Sequence, residues 1–433
     1  MTIRSVAVLG AGTMGAQIAA HFANAGVPAL LLDLTLEAAR EGLQRARATK
    51  PDPFFTPDTW KLITLGSFDA DLGRIADANW IVEAVVERLD VKRALLERVD
   101  AVRRPGSIVT SNTSGISITA LAEGRSDDFR RHWLGTHFFN PPRYLRLLEL
   151  IPTPESEPAV VEAVRHFADH RLGKGVVPAK DSPGFIGNHI GMFGLLRLLD
   201  TVVSGDYTIE EVDAITGPAL GRPRSATFRT LDLAGLDIVA HVVRDMHERL
   251  PAPARDAFVL PPLVERMLDK GLTGEKAGGG FYKRVKRPNG ESEILVLDLA
   301  TFDYKPQQKP RLAALDAAAS LTDVRERVKA LFEGKDRVGA FLQRTLEPTI
   351  RYAAQITPDV AYSPDDVDRV MRWGFGWELG PFELADSLGI TTGVTVLRPS
   401  RERPPVVRKN AGASLVDLGD GVLCVEFHSK MNT

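Results

Sequence analysis

The sequence predicts an α/β doubly wound domain followed by two copies of one all-helical module. Three observations carry that expectation. Short apolar runs alternate with helix-patterned stretches through the first part of the chain. A glycine-rich turn joins the first run to the first helix, and a pattern at 207–235 recurs at 362–389. Alternation of this kind builds a mostly parallel sheet covered by helices.

Residues 3–9 read as a buried strand, closed at once by Gly10-Ala-Gly12-Thr13-Met14-Gly15. Residues 14–25 carry helical spacing, with Ile18, Phe22 and Ala25 on one face and Gly26 at the stop. A second strand at 29–32 ends at Asp33 and completes a βαβ unit with a right-handed crossover. Further strands are expected at 80–84, 107–110 and 134–139, with a helix over 91–102. After Pro183-Gly184 the character changes, and residues 185–250 are helix-patterned.

Tyr207-Thr-Ile-Glu-Glu-Val-Asp213 matches Tyr362-Ser-Pro-Asp-Asp-Val-Asp368, an offset of 155 (362 − 207). Gly221 and Gly376 each stand eight places beyond the matched aspartate (221 − 213, 376 − 368). Phe228, Asp232 and Gly235 then match Phe382, Asp386 and Gly389 with the same internal spacing. Two copies of one module account for this. Residues 286–335, rich in Lys, Arg and Pro, read as a connector with some helix at 311–332. Residues 401–410 read as an extended linker, and 411–433 as two short strands around Gly419-Asp420-Gly421.

The 433 residues are 44% apolar and 25% charged, an ordinary globular balance. Fifty-four basic residues against 56 acidic ones give a net charge of −2, which argues against a nucleic-acid binder held by bulk charge. No apolar run approaches the ~20 residues that span a bilayer, so no membrane span is expected. The N-terminus runs straight into a strand with no signal-peptide core, and the single Cys424 cannot close an internal disulfide. The chain therefore reads as cytoplasmic. No metal-ligand spacing, phosphate-binding GK[ST] loop, nucleophile elbow or cysteine nucleophile stands out, so no metal is expected.

The strand–turn–helix context makes Gly10-x-Gly12-x-x-Gly15 informative. The first glycine permits the tight turn, the second admits a pyrophosphate, and the third lets helix pack on strand in a Rossmann-type domain. Asp33 lies 18 residues beyond Gly15 (33 − 15). A carboxylate there accepts hydrogen bonds from ribose hydroxyls and repels a 2′-phosphate, which favours NAD over NADP. Glu83-Ala84-Val-Val-Glu87 ends another strand at the ligand-binding edge, and Lys92 follows; alone, this reads as a solvated charged helix start. Ser111-Asn112-Thr113-Ser114 also ends a strand, where it reads equally as a helix cap.

The sharpest feature is Gly135-Thr-His137-Phe-Phe-Asn140-Pro-Pro-Arg143-Tyr-Leu-Arg-Leu-Leu-Glu149, two apolar runs folded back at Asn-Pro-Pro. His137 and Glu149 are each six residues from Arg143, so the hairpin sets them face to face. A carboxylate paired with an imidazole fixes its tautomer and raises its basicity, as a general base requires. The other histidines read as structural. Asn188, in the first turns after Pro183-Gly184, also reads by itself as structural.

These residues together resemble the L-3-hydroxyacyl-CoA dehydrogenase family of fatty-acid β-oxidation. The marks are Gly10-Ala-Gly-Thr-Met-Gly15, Glu83-Ala-Val-Val-Glu87, Ser111-Asn-Thr-Ser114, His137-Phe-Phe-Asn-Pro141, Lys180-Asp-Ser-Pro-Gly-Phe185 and Gly278-Gly-Gly-Phe-Tyr282. The resemblance implies oxidation of (S)-3-hydroxyacyl-CoA with NAD, His137 as base and Glu149 as its orienting partner. It implies that Ser114 and Asn188 meet the substrate's C3 oxygen and that Asn140 lines the cleft. It places Gly10, Gly12, Thr13, Met14, Gly15, Asp33, Ala84, Glu87, Lys92 and Asn112 at the dinucleotide.

The domains then run 1–183 (NAD-binding, Rossmann-type), 184–285 and 336–400 (two all-α dehydrogenase C-terminal modules), with 286–335 between them. After the linker 401–410, residues 411–433 resemble the opening of an enoyl-CoA hydratase domain, which implies a longer multifunctional enzyme with a thiolase partner. The two modules are expected to pair within one chain as an intramolecular pseudo-dimer. Gly115, where many members carry a second serine, and Tyr144-Leu145-Arg146 depart from the family pattern next to the acyl pocket. Two other readings stand at this point: a 6-phosphogluconate-type dehydrogenase, which relies on a lysine base, and a non-catalytic NAD-binding protein descended from the enzyme.

Overall fold

The first apolar run becomes strand β1 (Val6–Leu9), every residue of it buried, in a computed structural model that describes residues 2–287, 290–394, 406–409, 412–417 and 421–427. Seven further strands join it: β2 (Ala29–Asp33), β3 (Ile63–Ser67), β4 (Trp80–Glu83), β5 (Ile108–Ser111), β6 (Trp133–Phe138), β7 (Leu147–Pro152) and β8 (Gly175–Pro178). They hydrogen-bond in the order β3-β2-β1-β4-β5-β6-β7-β8. Every neighbouring pair is parallel except β6 and β7. The order reverses between β1 and β4, and ligands of doubly wound sheets bind at that switch point, beyond the carboxyl ends of the strands.

β3 and β8 are absent from the sequence expectation. Both are edge strands, and Ile-Thr-Leu-Gly-Ser and Gly-Val-Val-Pro lack a strong apolar pattern because an edge tolerates Gly and Pro. The central strands were legible because both faces are covered. Trp80 and Trp133 are fully buried, and their indole N–H groups donate to Thr110 Oγ1 (3.0 Å) and the Ile118 carbonyl (2.8 Å).

The first helical module follows through helices Gly187–Val203, Ile209–Thr216, Phe228–Ala234 and Leu236–Arg249. Its counterpart is built from Arg337–Val360, Pro364–Phe375 and Pro381–Leu388. The repeated residues do the same work in both copies. Thr208 and Ser363 cap their helices, and Gly221 and Gly376 end the next turn at φ 65 and 69. Asp213 Oδ1 accepts the amide of Phe228 (2.7 Å), and Asp368 Oδ1 that of Phe382 (2.8 Å).

The segment expected to be a connector is more ordered than its composition suggests. β9 (Tyr282–Lys286), β10 (Ser292–Leu297) and β11 (Tyr304–Pro306) form an antiparallel sheet, and helices Ala313–Ala318 and Val324–Phe332 follow. Its alternating charged residues conceal strands with a single buried face. Val296, Leu312, Val328 and Leu331 enter the same apolar core as Leu196, Phe228, Phe341 and Leu346. Residues 1–393 thus form one compact unit.

The second unit, 394–433, is a three-stranded antiparallel sheet of β12 (Val406–Lys409), β13 (Ala413–Asp417) and β14 (Leu423–Phe427). Part of the expected linker is therefore strand. Residues 395–405, 410–411 and 428–433 lie outside the described residues, as do Gly419 and Asp420 of the expected turn. Among the described residues, no helix is long and apolar enough to cross a membrane.

Candidate active site

Three glycines after β1 have three separate reasons. Gly10 has φ +101 and lies against Ala84, where a Cβ would stand 2.6 Å from the carbonyl oxygen. Gly15, in helix Thr13–Asn24, would put a Cβ 1.8 Å from the Gly10 carbonyl, so a side chain would push helix off strand. Gly12 faces open space, with nothing within 4 Å of where its Cβ would be. The helix that Gly12 begins has no side-chain cap, so its first-turn N–H groups, those of Thr13 and Met14 among them, are available to an anion. Asp33 accepts the amides of Ala11 and Leu34, each at 2.6 Å, which fixes its carboxylate against the loop. An open glycine, an uncapped helix and a fixed carboxylate together fit a dinucleotide with a free ribose hydroxyl, as in NAD.

After β4 the chain folds over a buried ammonium. Lys92, in helix Leu89–Val102, donates to Glu83 Oε1 (2.7 Å), Glu87 Oε2 (3.2 Å) and the Val85 carbonyl (3.4 Å), and only 1% of its side chain is exposed. Burial works to lower its pKa, but the carboxylates of Glu83 and Glu87 outweigh that and raise it. The solvated helix start that the charges alone suggest is thus a buried ion-pair cluster, in which Lys92 holds Glu83 and Glu87.

Glu87 in turn accepts the Thr113 hydroxyl (2.5 Å), the Ser114 amide (2.8 Å) and the Ser114 hydroxyl (3.2 Å). Burial works to raise its pKa, yet Lys92 and these donors bring it below the ordinary value. Replacing Lys92 by methionine leaves Glu83 buried without a counter-charge. We expect a loss of about 3–5 kcal/mol, read as a lower urea midpoint; an unchanged midpoint would remove the ion pair from the fold's support.

Strand pairing sets His137 directly opposite Glu149. His137 Nδ1 lies 2.6 Å from Glu149 Oε2, and Glu149 is fully buried. The other carboxylate oxygen accepts the amides of Ile186 (3.1 Å) and Gly187 (2.9 Å) at the start of helix Gly187–Val203. Gly184 (φ 74) and Phe185 (φ 47) turn the chain so that those amides point inward. A left-handed Phe185 costs about 1–2 kcal/mol, and its complete burial offsets that. Because the carboxylate only accepts, Nδ1 carries the proton and Nε2 is the nitrogen left to react. Phe139 and Phe185 enclose the ring, with centroids at 4.6 and 5.6 Å.

The remaining expected residues converge on this edge. Asn188 Nδ2 donates to the Ser114 carbonyl at 3.4 Å. Asn112 Oδ1 accepts the Phe138 amide (2.9 Å) and so joins β5 to the hairpin. Asn140 Oδ1 accepts Gln17 Nε2 at 3.3 Å, tying the hairpin to the glycine-loop helix. Asn140 and Asn188 line a cavity of about 430 Å³, walled by Leu195 and Leu198 of the first module and by Leu342 and Phe375 of the second.

Of the residues that depart from the family pattern, Leu145 lines the cavity, whereas Tyr144 donates to the Asp52 carbonyl (2.8 Å) and Arg146 stacks on Trp373. A Cβ at Gly115 would stand 3.0 Å from Asp245 Oδ2, so an aspartate from the first module crowds the place of the missing serine.

Several contributors escaped the sequence reading. Gln17, the Ile186 and Gly187 amides, and Phe375, which meets Phe139 edge-on at 6.0 Å, carry no local signal because only tertiary contact brings them here. Asp181 accepts the Ser117 hydroxyl and the amides of Ile118 and Thr119, fastening the domain junction to the segment after Ser114. Its place in Lys180-Asp-Ser-Pro-Gly was the one available clue.

Loop, carboxylate and imidazole pair lie along the sheet's ligand-binding side, which defines a dinucleotide-binding α/β protein with a buried imidazole–carboxylate pair beside its cofactor loop. Residues 5–182 match the family model for the 3-hydroxyacyl-CoA dehydrogenase NAD binding domain. Residues 184–284 and 339–419 match that for the 3-hydroxyacyl-CoA dehydrogenase C-terminal domain. The chain belongs to the 3-hydroxyacyl-CoA dehydrogenase family, a family of enzymes, and its first domain is the NAD-binding one.

A probable 3-hydroxyacyl-CoA dehydrogenase of Bacillus subtilis is 41% identical over 99% of this chain, which spans 63% of that relative's length. A probable 3-hydroxyacyl-CoA dehydrogenase of Deinococcus radiodurans is 47% identical over 66% of this chain and 84% of its own. The solved 3-hydroxybutyryl-CoA dehydrogenase of Escherichia coli superposes with a TM-score of 0.63 over 93% of this chain and 97% of its own; at 22% identity that is a likeness of fold.

Proposed function

We propose that this chain oxidises (S)-3-hydroxyacyl-CoA to 3-ketoacyl-CoA with NAD, as a step of fatty-acid β-oxidation. The observation that carries the reading is the 2.6 Å His137–Glu149 contact, with Nε2 left free beside the dinucleotide edge. The family and the Bacillus subtilis relative support the substrate class. A non-catalytic descendant would have no need of an intact pair, and a lysine-based mechanism has no candidate where Lys92 is spent on Glu83 and Glu87.

Gly10, Gly12, Thr13, Met14 and Gly15 would receive the pyrophosphate, Asp33 the adenosine ribose, and Ala84, Glu87 and Asn112 the nicotinamide side. NAD, when bound, supplies the acceptor for the hydride leaving C3. His137 Nε2 takes the proton of the 3-hydroxyl, and Glu149 stabilises the imidazolium that results. In the reverse direction the imidazolium returns that proton, while Asn188 and the Ser114 hydroxyl, turned from Glu87 on substrate binding, donate to the C3 oxygen as it gains charge. Asn140 borders the same oxygen from the hairpin. NADH consumption with acetoacetyl-CoA and with a longer 3-ketoacyl-CoA tests the reading; no turnover with either would leave the non-catalytic alternative.

We also propose that the second module takes the place of a second subunit. Residues 155 apart in the repeat touch each other: a Cβ on Gly194 would be 3.2 Å from Thr349 Cγ2, and Arg222 lies 3.9 Å from the Trp377 ring (349 − 194, 377 − 222). Equivalent residues meet in this way on a two-fold axis. The described chain should therefore sediment as a monomer at micromolar concentration, and a dimer held through helix Gly187–Val203 would overturn this. A thiolase, which consumes 3-ketoacyl-CoA, is the partner that this chemistry suggests, in a cytoplasmic setting that suits the lone Cys424.

A further inference from the structure

The turn between β6 and β7, residues 139–146, carries Asn140 to the cleft, and it is held from several sides. Asn140 meets Gln17 of the glycine-loop helix at 3.3 Å. Arg143 donates to the carbonyls of Asp52 (2.6 Å) and Phe54 (2.5 Å), and Tyr144 to that of Asp52 (2.8 Å). Arg146 stacks on Trp373 of the second module at 4.6 Å. All of these grip side chains of the turn. Lys174, the residue before β8, grips its backbone: Nζ donates to the carbonyls of Pro142 and Leu145, the latter at 2.9 Å.

Lys174 is 2% exposed, its Nζ lies 5.6 Å from the Phe138 ring, and no carboxylate among the described residues pairs with it. The titratable groups that face it are His21, on the glycine-loop helix, and Arg143 of the turn. Burial, then the Lys174 ammonium, and also Arg143 bring the pKa of His21 down to about 3 against the pull of the Leu172 carbonyl, so His21 stays neutral. A buried ammonium without a counter-charge is costly, and the two converging carbonyls offset part of that cost. Without the ammonium, those two carbonyls would face inward unpaired, and the turn would gain by rotating them toward water. Burial pushes the pKa of Lys174 down to about 7, so its charge is lost across the neutral range. The neutral amine keeps N–H groups to donate, but uncharged bonds are about half as strong.

We propose that Lys174 is a positioning residue of the dehydrogenase reaction: by holding the Pro142 and Leu145 carbonyls it keeps the 139–146 turn in place and Asn140 at the cleft. It acts through the backbone of the turn rather than on the reacting atoms. The grip is linked to a proton, firm below neutral pH and weaker above it. This rests on the dehydrogenase reading above and adds to it a residue outside the cleft.

Lys174→Met keeps the length of the side chain and removes its donors. At about pH 6 its kcat/KM for acetoacetyl-CoA should fall about tenfold to a hundredfold, because only a fraction of the molecules then hold the turn in place. NADH affinity should stay within about twofold, since the glycine loop is untouched. The ratio of wild type to variant should shrink toward about pH 8, because only the wild type has a charge to lose there; taking the ratio at each pH removes the titration of the substrate and of every other group. A ratio that does not change with pH makes Lys174 a structural residue and overturns the proposal. So does NADH affinity that falls in step with activity. Hydrogen exchange on the wild type reads the same grip without a variant and without turnover. The Tyr144 and Leu145 amides, each 3.0 Å from the Pro141 carbonyl, should lose about threefold to tenfold of their protection over the same pH range, while the amides of β7 keep theirs. Flat protection of the turn overturns the proposal. A chain that turns over no 3-ketoacyl-CoA, yet loses that protection as pH rises, would refute the dehydrogenase reading while sustaining the lysine grip.

Discussion

Replacing His137 by glutamine should cut the reduction of acetoacetyl-CoA by about 10²–10⁴-fold, the range that a lost general acid–base group costs. Glutamine keeps the length and polarity of the side chain but has no nitrogen that takes or gives a proton near neutral pH. The glycine loop and Asp33 lie after β1 and β2, away from the imidazole, so NADH affinity measured by fluorescence should stay within about twofold, well inside the tenfold that 1.4 kcal/mol would produce. If NADH affinity falls in step with activity, His137 is a structural residue and the proposed mechanism fails.

Glu149→Gln should be nearly as damaging, and for a geometric reason. Two amides, those of Ile186 and Gly187, donate to Glu149 Oε1, so a glutamine here must present its carbonyl oxygen to them. Its NH₂ group then faces His137 Nδ1. That reverses the hydrogen bond, moves the ring proton to Nε2 and leaves the reacting nitrogen unable to accept a proton. Holding a catalytic imidazole in the wrong tautomer costs about 10⁴-fold in a serine protease, and a similar scale is expected here. The Nδ1 and Nε2 chemical shifts of His137 report the tautomer directly. A variant with unchanged shifts and near-normal kcat would detach Glu149 from the mechanism. Glu149→Ala should instead leave both amides buried and unpaired, so it should lose stability as well as rate.

The repeat shows how far local patterns reach. Tyr207–Asp213 and Tyr362–Asp368 were recognisable because each position has a local duty. A hydroxyl caps the helix, an aspartate accepts the amide of a Phe fifteen or fourteen places on (228 − 213, 382 − 368), and a glycine takes the left-handed turn. The dyad was legible for a similar reason: equal spacing about the Asn-Pro-Pro turn sets the register of a hairpin, and register decides which side chains meet. The strands of the 286–335 segment were hidden because charged and apolar residues alternate in short runs, which resembles a polar linker until the other face is covered.

Lys92 marks the limit. From sequence it is one more charge at a helix start; only the packing of that helix beneath the end of β4 removes it from water and joins it to Glu83 and Glu87. Phe375 and Arg222 make the same point from the helical modules. Nothing within the second module indicates that Phe375 will reach the ring of Phe139, and nothing within the first indicates that Arg222 will lie on Trp377.

By itself, then, the sequence determined the doubly wound domain, the repeated module, the glycine loop and the imidazole–carboxylate register, because each is written in spacing along one short stretch of chain. The tertiary structure decided which charges are buried, which backbone amides hold Glu149 and what lines the cavity beside Asn188. Those depend on contacts between separate elements, from nine residues apart at Lys92–Glu83 to 38 at Glu149–Gly187 and farther between the modules, where dielectric, exclusion of water and the meeting of two surfaces are properties of the packed molecule and not of any local pattern.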